Sequence, residues 1–304
     1  SWIAFSARHL WRSGSEWRRG LLRIGADLTL LTSAPLLAFQ LTFGLAYARA
    51  DLSERIGLET PNPREDPEAA YEELVALSEV FVDRTNQAYI AVHGTDDLGT
   101  PSVMDRPAFE VAIDRGYAAL PDRYGFAEPL GRARPPTRTM AWFSPVPAFG
   151  VAGFYAPFTG EAMTNAAIPD AYEGFVIAHE KAHQHLIAPE DEADFVGFLA
   201  ALHSDDGYAR YCAWVEASTK ALLHLARADR KEAKRIIDGF APGVDRDLRA
   251  VDTYFAGTPA MTRSLGAAIN DAYLKANDQK HGIKSYRRSF RLILAWSREH
   301  PDVR

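Results

Sequence analysis

The feature that most constrains this chain is a long segment without a charged residue. Residues 28–47 form a run of twenty that contains no Asp, Glu, Lys or Arg. A helix needs about 20 apolar residues to cross a hydrocarbon core of about 30 Å, so the run is long enough for a transmembrane helix. The alternative is a buried helix of a soluble protein, since Pro35, Gln40 and Thr42 make the run only moderately apolar.

The charges on either side of the apolar run predict its orientation. Five arginines precede the run, whereas the stretch after residue 50 is mixed and then acidic. Because positively charged flanks stay in the cytoplasm, we expect a cytoplasmic N-terminus and an extracytoplasmic remainder. The run is also longer than the apolar part of a cleaved signal peptide. We therefore predict a basic segment and transmembrane helix over residues 1–50 and one domain over residues 51–304.

The composition excludes several classes of protein. With 304 residues, 47% of them hydrophobic, the chain can bury a sizeable core. Its net charge of −6 offers no basic stripe for nucleic acid. The single cysteine, Cys212, excludes an intramolecular disulfide framework.

A metal-binding motif lies within an apolar, helical stretch. It reads His179-Glu180-Lys181-Ala182-His183. Residues four apart share a helix face, so the imidazoles of His179 and His183 can converge on one zinc ion at about 2.0–2.1 Å. In this HExxH pattern Glu180 is the general base for a water and not a ligand. The alternative is a surface helix with incidental histidines.

A catalytic zinc typically takes three protein ligands, and an acidic cluster after Pro189 can supply the third. Glu190 and Asp194 share a helix face, whereas Glu192 points roughly the other way. We therefore predict Glu190 as the third ligand and Asp194 as an acceptor that orients a ligand histidine, with Glu192 as the alternative ligand. His185 is a weaker candidate because it points away from the histidine face. The helix dipole alone also favours carboxylates at this position.

Aromatic residues supply the remaining candidates. Tyr211, followed by Tyr208, is predicted to donate a hydrogen bond to the oxyanion, with simple packing of a helix start as the equal alternative. The strand-like Gly153, Phe154 and Tyr155 are predicted to bind an extended substrate by strand addition, with an ordinary edge strand as the alternative.

The hydrophobic spacing predicts the fold class. Helical periodicity covers residues 66–90 and 107–120 and resumes from residue 171 almost to the end. Residues 137–163 are rich in Pro, Gly and aromatics and contain short strand-like runs, including residues 140–143 and 150–155. The sequence thus predicts an α+β fold that is predominantly helical, with a small sheet before the HExxH helix.

The motif followed by Glu190-Asp191-Glu192-Ala193-Asp194 resembles the gluzincins. Over nearly its whole length the chain resembles a bacterial membrane-anchored family, domain of unknown function 3810, whose members are regarded as zinc peptidases. Four segments carry this resemblance: Gly44-Leu45-Ala46-Tyr47-Ala48-Arg49, Pro157-Phe158-Thr159-Gly160-Glu161-Ala162, residues 179–195, and Asn270-Asp271-Ala272-Tyr273-Leu274-Lys275 with the later Ser285-Tyr286. The family pattern differs at Ala46, at His185-Leu186 and at Asp194, none of which is a predicted ligand or base.

The resemblance implies a zincin-like domain anchored in the bacterial inner membrane. Together with the motif, it predicts a zinc metallopeptidase that binds one Zn²⁺ per chain and acts on a peptide or protein substrate. Two alternatives stay open. One is a non-catalytic, membrane-anchored protein that keeps zinc for structure, although structural sites prefer four ligands and often cysteine. The other is a metal-dependent hydrolase that acts on something other than peptides.

Overall fold

A computed structural model describes residues 2–60, 67–97, 104–127, 129–140, 150–165, 167–257, 264 and 286–303. The chain divides into two compact units, Ser1–Leu45 and Ala46–Arg304. This division falls slightly before the predicted boundary at residues 50 and 51.

The first unit is a single long helix, α1 (Trp2–Thr42), with Pro35 inside it. Its stretch Ile24–Thr42 is long and apolar enough to cross a membrane. Leu31, Leu37 and Leu41 on this stretch are each at least 60% exposed, and a continuous apolar surface of this kind is typical of a membrane anchor or a signal sequence. The helix ends earlier than the predicted run, because a 3-10 turn (Gly44–Ala48) begins at a poor helix former.

The second unit is mostly helical. In chain order its helices are α2 (Leu52–Ile56), α3 (Pro67–His93), α4 (Arg106–Tyr124), α5 (Asp170–Gln184), α6 (Glu190–Leu202), α7 (Gly207–Ala228), α8 (Arg230–Ile237), α9 (Pro242–Gly257) and α10 (Tyr286–Glu299). The predicted helices over 66–90 and 107–120 correspond to α3 and α4, each of which extends a few residues further. The segments 270–275 and 285 of the family resemblance lie outside the described residues.

Helix α6 is the centre of this unit. It packs against α4, α5, α7 and α10, and its apolar residues Phe195, Val196, Phe198 and Leu199 are fully buried. Phe198 makes edge contacts with Trp214 of α7 and Trp296 of α10. Because α6 is enclosed on several sides, each polar side chain on its first turn is buried and needs a hydrogen-bond or ionic partner from a neighbouring element.

A three-stranded sheet precedes α5, as the sequence predicts. Its strands are β1 (Arg138–Thr139), β2 (Gly153–Ala156) and β3 (Glu161–Thr164), in the order β1-β3-β2. Strand β1 is parallel to β3, whereas β2 is antiparallel to β3 and places Gly153 opposite Thr164. Both β2 and β3 pack on α5. The predicted strand run at 140–143 lies, apart from its first residue, outside the described residues.

Candidate metal centre

Helices α5 and α6 supply the three predicted ligands and pack closely against each other. His179 and His183 lie one turn apart on α5, and Glu190 is the first residue of α6. The close approach depends on Gly197 of α6, where an added Cβ would lie 3.1 Å from the backbone nitrogen and 3.2 Å from the Cα of His179. The absence of a side chain at this position lets the ligand-bearing faces meet.

The three side chains converge on one point. The Oε2 atom of Glu190 lies 3.2 Å from Nε2 of His179 and 3.7 Å from Nε2 of His183. One ligand atom from each residue lies within 4.8 Å of the other two. A His₂Glu set is one of the sets that hold catalytic zinc, so the donors present here fit that ion.

The other ring nitrogens are held from outside the cluster. Nδ1 of His183 lies 2.8 Å from the carbonyl oxygen of Ile187. Since a carbonyl only accepts, this Nδ1 carries the proton, and the lone pair of Nε2 points into the cluster. Nδ1 of His179 lies 2.8 Å from Oδ1 of Asp194, which is the contact that the sequence predicts for this carboxylate.

Two largely buried, charged residues of α7 lie on the side of Asp194 that faces away from His179. Oδ2 of Asp194 accepts from Nζ of Lys220 at 2.7 Å, and Lys220 also contacts Glu216 at 2.8 Å. Burial alone would raise the pKa of Asp194, but the charge of Lys220 and the contact with His179 outweigh it and lower that pKa. Neither of these α7 residues is predicted from the sequence, because a Glu and a Lys four apart usually form a surface pair. Their apolar neighbours, such as Ala217 and Ala221, are the signal that could have identified them.

Glu180 lies beside the cluster with little access to water. It is 4% exposed, and its Oε2 has no hydrogen-bond partner within the described part of the chain. Burial raises the pKa of Glu180 to about 7, an effect opposed by His179 and His183. A carboxylate that titrates near neutrality can both take and give up a proton, as a general base must.

Strand β2 runs along α5 next to these residues. A Cβ at Gly153 would overlap the carboxylate of Glu180 and the side chain of Val176, so only glycine fits here. The ring of Tyr155 has its centroid 6.0 Å from that of His183. Because side chains alternate along a strand, Phe154 points to the opposite face, where it is 45% exposed. Of the three predicted substrate contacts, two therefore lie at the site.

Tyr211 is not at this site. Its hydroxyl donates to Oδ2 of Asp247 at 2.6 Å, and its ring is fully buried against Tyr89 and Tyr208. The prediction that Tyr211 or Tyr208 serves the oxyanion is therefore corrected in favour of the packing alternative. The hydroxyl of Tyr211 is already bound to a carboxylate from α9.

The two alternative ligands also lie elsewhere. Oε1 of Glu192 accepts from the backbone nitrogen of Leu52 at 2.7 Å, and its Oε2 accepts from Arg55 at 2.6 Å. His185 accepts from Nε of Arg134 at 3.2 Å. Neither side chain lies on the helix face that carries the cluster. Helix periodicity predicts this, and it is why both residues rank below Glu190 as ligands.

The comparisons with known proteins identify one family. The family model described as "Protein of unknown function (DUF3810)" matches residues 1–294, which confirms the family resemblance. No curated protein and no solved structure matches the chain.

Proposed function

The chain belongs to the DUF3810 family, and we propose that it is a membrane-anchored zinc metallopeptidase with a zincin-like domain. The observation that carries this proposal is the convergence of His179, His183 and Glu190 beside a buried Glu180. Three ligands, in contrast to four, leave a position for a reactant, which is the arrangement of a catalytic zinc. The alternative of a non-catalytic protein with a structural zinc site is less well supported. Structural sites usually have four protein ligands, and the described residues add no fourth donor to this group.

The chemistry follows from the side chains in place. When bound, zinc supplies Lewis-acid chemistry by activating a water and polarising the scissile carbonyl. Glu180 takes a proton from the attacking water and passes it to the leaving amine. His179 and His183 keep their Nε2 lone pairs for the metal because Asp194 and Ile187 hold their Nδ1 atoms.

Strand β2 is the proposed substrate-binding element. It pairs with β3 on one side, and no described strand pairs with its other side. An extended peptide can add to such an edge through main-chain hydrogen bonds. The side chain of Tyr155, next to His183, takes the place of Tyr211 as the proposed donor to the oxyanion.

The location of the enzyme is also a proposal. The apolar helix and the arginines before it support an anchor in the bacterial inner membrane with the catalytic domain outside the cytoplasm. A substrate would then be a peptide or protein on that side of the membrane.

The test compares Glu180→Gln and His183→Ala in the full-length protein purified in detergent. We expect about one zinc per chain, retained in Glu180→Gln and lost in His183→Ala. Hydrolysis of a peptide library should disappear in both variants, because one lacks the base and the other the metal. His224→Ala, whose ring stacks on Phe290 away from the cluster, is the matched control and should keep both properties.

Two outcomes would contradict the proposal. Full turnover in Glu180→Gln would exclude the assigned base. Stoichiometric zinc together with no hydrolysis by the parent protein would favour the non-catalytic zinc-binding alternative.

A further inference from the structure

The leucine that follows α5 has an unusual backbone conformation. Leu186 has a φ of 63°, and within the described part of the chain it is the only residue other than glycine with a positive φ. Gly160, with a φ of 71°, shows the usual solution, because glycine enters the left-handed region without a steric penalty. A leucine in this region is strained, so a glycine at position 186 would suit the backbone better.

Burial in the protein core does not account for this leucine. Its side chain is 36% exposed, although its two neighbours in sequence, His185 and Ile187, are fully buried. The part of an apolar side chain that stays in water gains no hydrophobic stabilisation. The exposed part of Leu186 is therefore stabilised only when an apolar environment outside the chain covers it.

A second large apolar side chain lies at the same corner of the domain. Phe158, in the turn between β2 and β3, is 61% exposed. The carbonyl oxygen of Gly160 in this turn accepts from Nε2 of Gln184 at 3.2 Å. Phe158 comes two residues before Gly160, and Leu186 comes two residues after Gln184. This hydrogen bond thus joins the two exposed residues into one apolar corner, which consists of Phe158 and Leu186.

Two arginines lie beside the apolar corner. Nη1 of Arg49 donates to the carbonyl oxygen of Leu186 at 3.1 Å, and Nε of Arg134 donates to Nδ1 of His185 at 3.2 Å. Exposed leucine and phenylalanine side chains next to arginines are typical of surfaces that lie at the boundary between lipid headgroups and acyl chains. The composition of this corner therefore favours a lipid surface as its partner.

The sequence position of Arg49 limits how far the apolar corner can lie from a membrane. The stretch that is able to cross a membrane, Ile24–Thr42, ends seven residues before Arg49. Seven residues span at most about 25 Å even when fully extended. When this stretch crosses a bilayer, chain length alone keeps Arg49 within about 25 Å of the membrane, and Arg49 contacts Leu186.

We propose that Phe158 and Leu186 insert into the membrane surface, so that the domain has a second membrane contact besides its anchor. The ligand His183 comes three residues before Leu186, so this contact holds the metal centre beside the bilayer. The preferred substrates are then peptide segments attached to the membrane. The membrane contact stands on the apolar corner alone, whereas the substrate class rests on the proposed peptidase function.

The first experiment measures how deeply the apolar corner enters the membrane. Full-length Phe158→Cys, Leu186→Cys and Leu223→Cys are labelled with an environment-sensitive fluorophore and placed in nanodiscs of phosphatidylethanolamine and phosphatidylglycerol. Leu223, on α7, is a similarly exposed apolar control, and the native Cys212 is fully buried and so does not take the label. Lipids with a nitroxide below the headgroup quench only fluorophores that reach that depth. We expect severalfold stronger quenching at positions 158 and 186 than at 223.

Quenching at positions 158 and 186 that is no stronger than at 223 would overturn the membrane contact. Each position is tested by its own variant, and circular dichroism shows which variants keep the helical fold. Leu186→Gly, which suits the left-handed backbone, is the further check. In this background the quenching of a label at position 158 should decrease, because the corner has lost one of its two apolar side chains.

The second experiment tests the substrate class. One peptide that the parent protein hydrolyses is offered either free in solution or linked to a lipid of the nanodisc. The double variant Phe158→Ser, Leu186→Gly should lose about 10-fold of its rate on the lipid-linked form, because two apolar side chains no longer enter the membrane. Its rate on the free form should stay unchanged, and Leu223→Ser should keep both rates. An equal loss on the two forms, or no loss on either, would overturn the substrate class.

The quenching measurement separates this inference from the proposed function. Strong quenching at positions 158 and 186, in a protein whose parent hydrolyses no peptide, would keep the membrane contact and remove the peptidase. Hydrolysis that depends on Glu180, together with equal quenching at all three positions, would do the reverse.

Discussion

The first turn of α6 carries neighbouring carboxylates that have opposite roles. On one face, Glu190 meets the two histidines and Asp194 holds His179. On the other face, Glu192 accepts hydrogen bonds from Leu52 and Arg55. All of them are buried, so burial does not distinguish them. What distinguishes the carboxylates is the set of groups that each one contacts. These groups come from α5 on one face and from the α2 region on the other.

The electrostatics of the two faces also differ. Burial alone would raise the pKa of Glu190, but its contacts with His179 and His183 lower it well below the usual range. Burial raises the pKa of Glu192 to about 7, and the charge of Arg55 only partly opposes this. The Glu190 face thus favours an anion in the absence of metal, which is what a cation site requires. The Glu192 face uses its carboxylate mainly as a hydrogen-bond acceptor.

The Glu192 face borders a polar cavity of about 190 Å³. Asp191 lies there, with Nε of Arg288 3.2 Å from its Oδ2, and the same arginine contacts Asp51. Through these contacts the segment from Asp51 to the end of α2 is joined to α6 and α10. The face therefore contributes to the fold, and the comparison predicts that damage to each face has a different measurable effect.

The largest expected difference is between Glu190→Ala and Glu192→Ala. Loss of a ligand in Glu190→Ala should weaken zinc binding by more than the roughly 10- to 100-fold typical of residues that only orient a ligand. Glu192→Ala should keep zinc affinity but lower the free energy of unfolding by about 1–3 kcal/mol, because the buried Leu52 N–H and Arg55 lose their acceptor. Zinc titration and denaturant unfolding of the metal-free proteins measure the two effects.

One outcome would contradict the assignment of different roles to the two faces. If both variants lost zinc to the same extent, the α2 contacts would be part of the metal centre and the two faces would not be independent.

The next pair, Asp194→Asn and Asp191→Asn, sharpens the comparison by keeping side-chain size. Asp194→Asn should weaken zinc binding by about 10- to 100-fold, because an amide can present its N–H₂ to Nδ1 of His179 and so disfavour the tautomer that leaves Nε2 free for metal. Asp191→Asn should leave zinc affinity unchanged. The check is competition with a chelator of known affinity, and an unchanged affinity in Asp194→Asn would remove this carboxylate from the site.

The division between these faces was largely predictable from the sequence. The spacing of His179 and His183 on α5, and of Glu190 and Asp194 on α6, depends only on helix periodicity, which local sequence specifies. That the two helices meet depends on their packing at Gly197. The small sheet and most helix positions follow from periodicity as well.

The misplaced and missed residues depend on contacts between distant segments. Tyr211 was misassigned because its partner, Asp247, comes from α9, and no local pattern marks that pairing. Lys220 was overlooked because its role requires knowing that α7 packs behind Asp194.

The smallest effect is expected at Gly197, which continues the Glu190 and Asp194 face one turn further. Gly197→Ala improves intrinsic helix propensity by about 1 kcal/mol, yet its new methyl group lies only 3.1 Å from the backbone of His179. The helices must separate by a few tenths of an ångström, so we expect zinc affinity to fall by less than about tenfold while stability changes little.

Gly207→Ala is the matched control for this prediction, because its added methyl group would meet Val92 at 3.4 Å, an ordinary contact. Isothermal titration with zinc should show a loss in Gly197→Ala alone. Unchanged affinity in Gly197→Ala would mean that the ligand atoms tolerate a wider helix spacing. The difference between the two faces of α6 would then reside entirely in their side chains and not in how closely α5 and α6 approach.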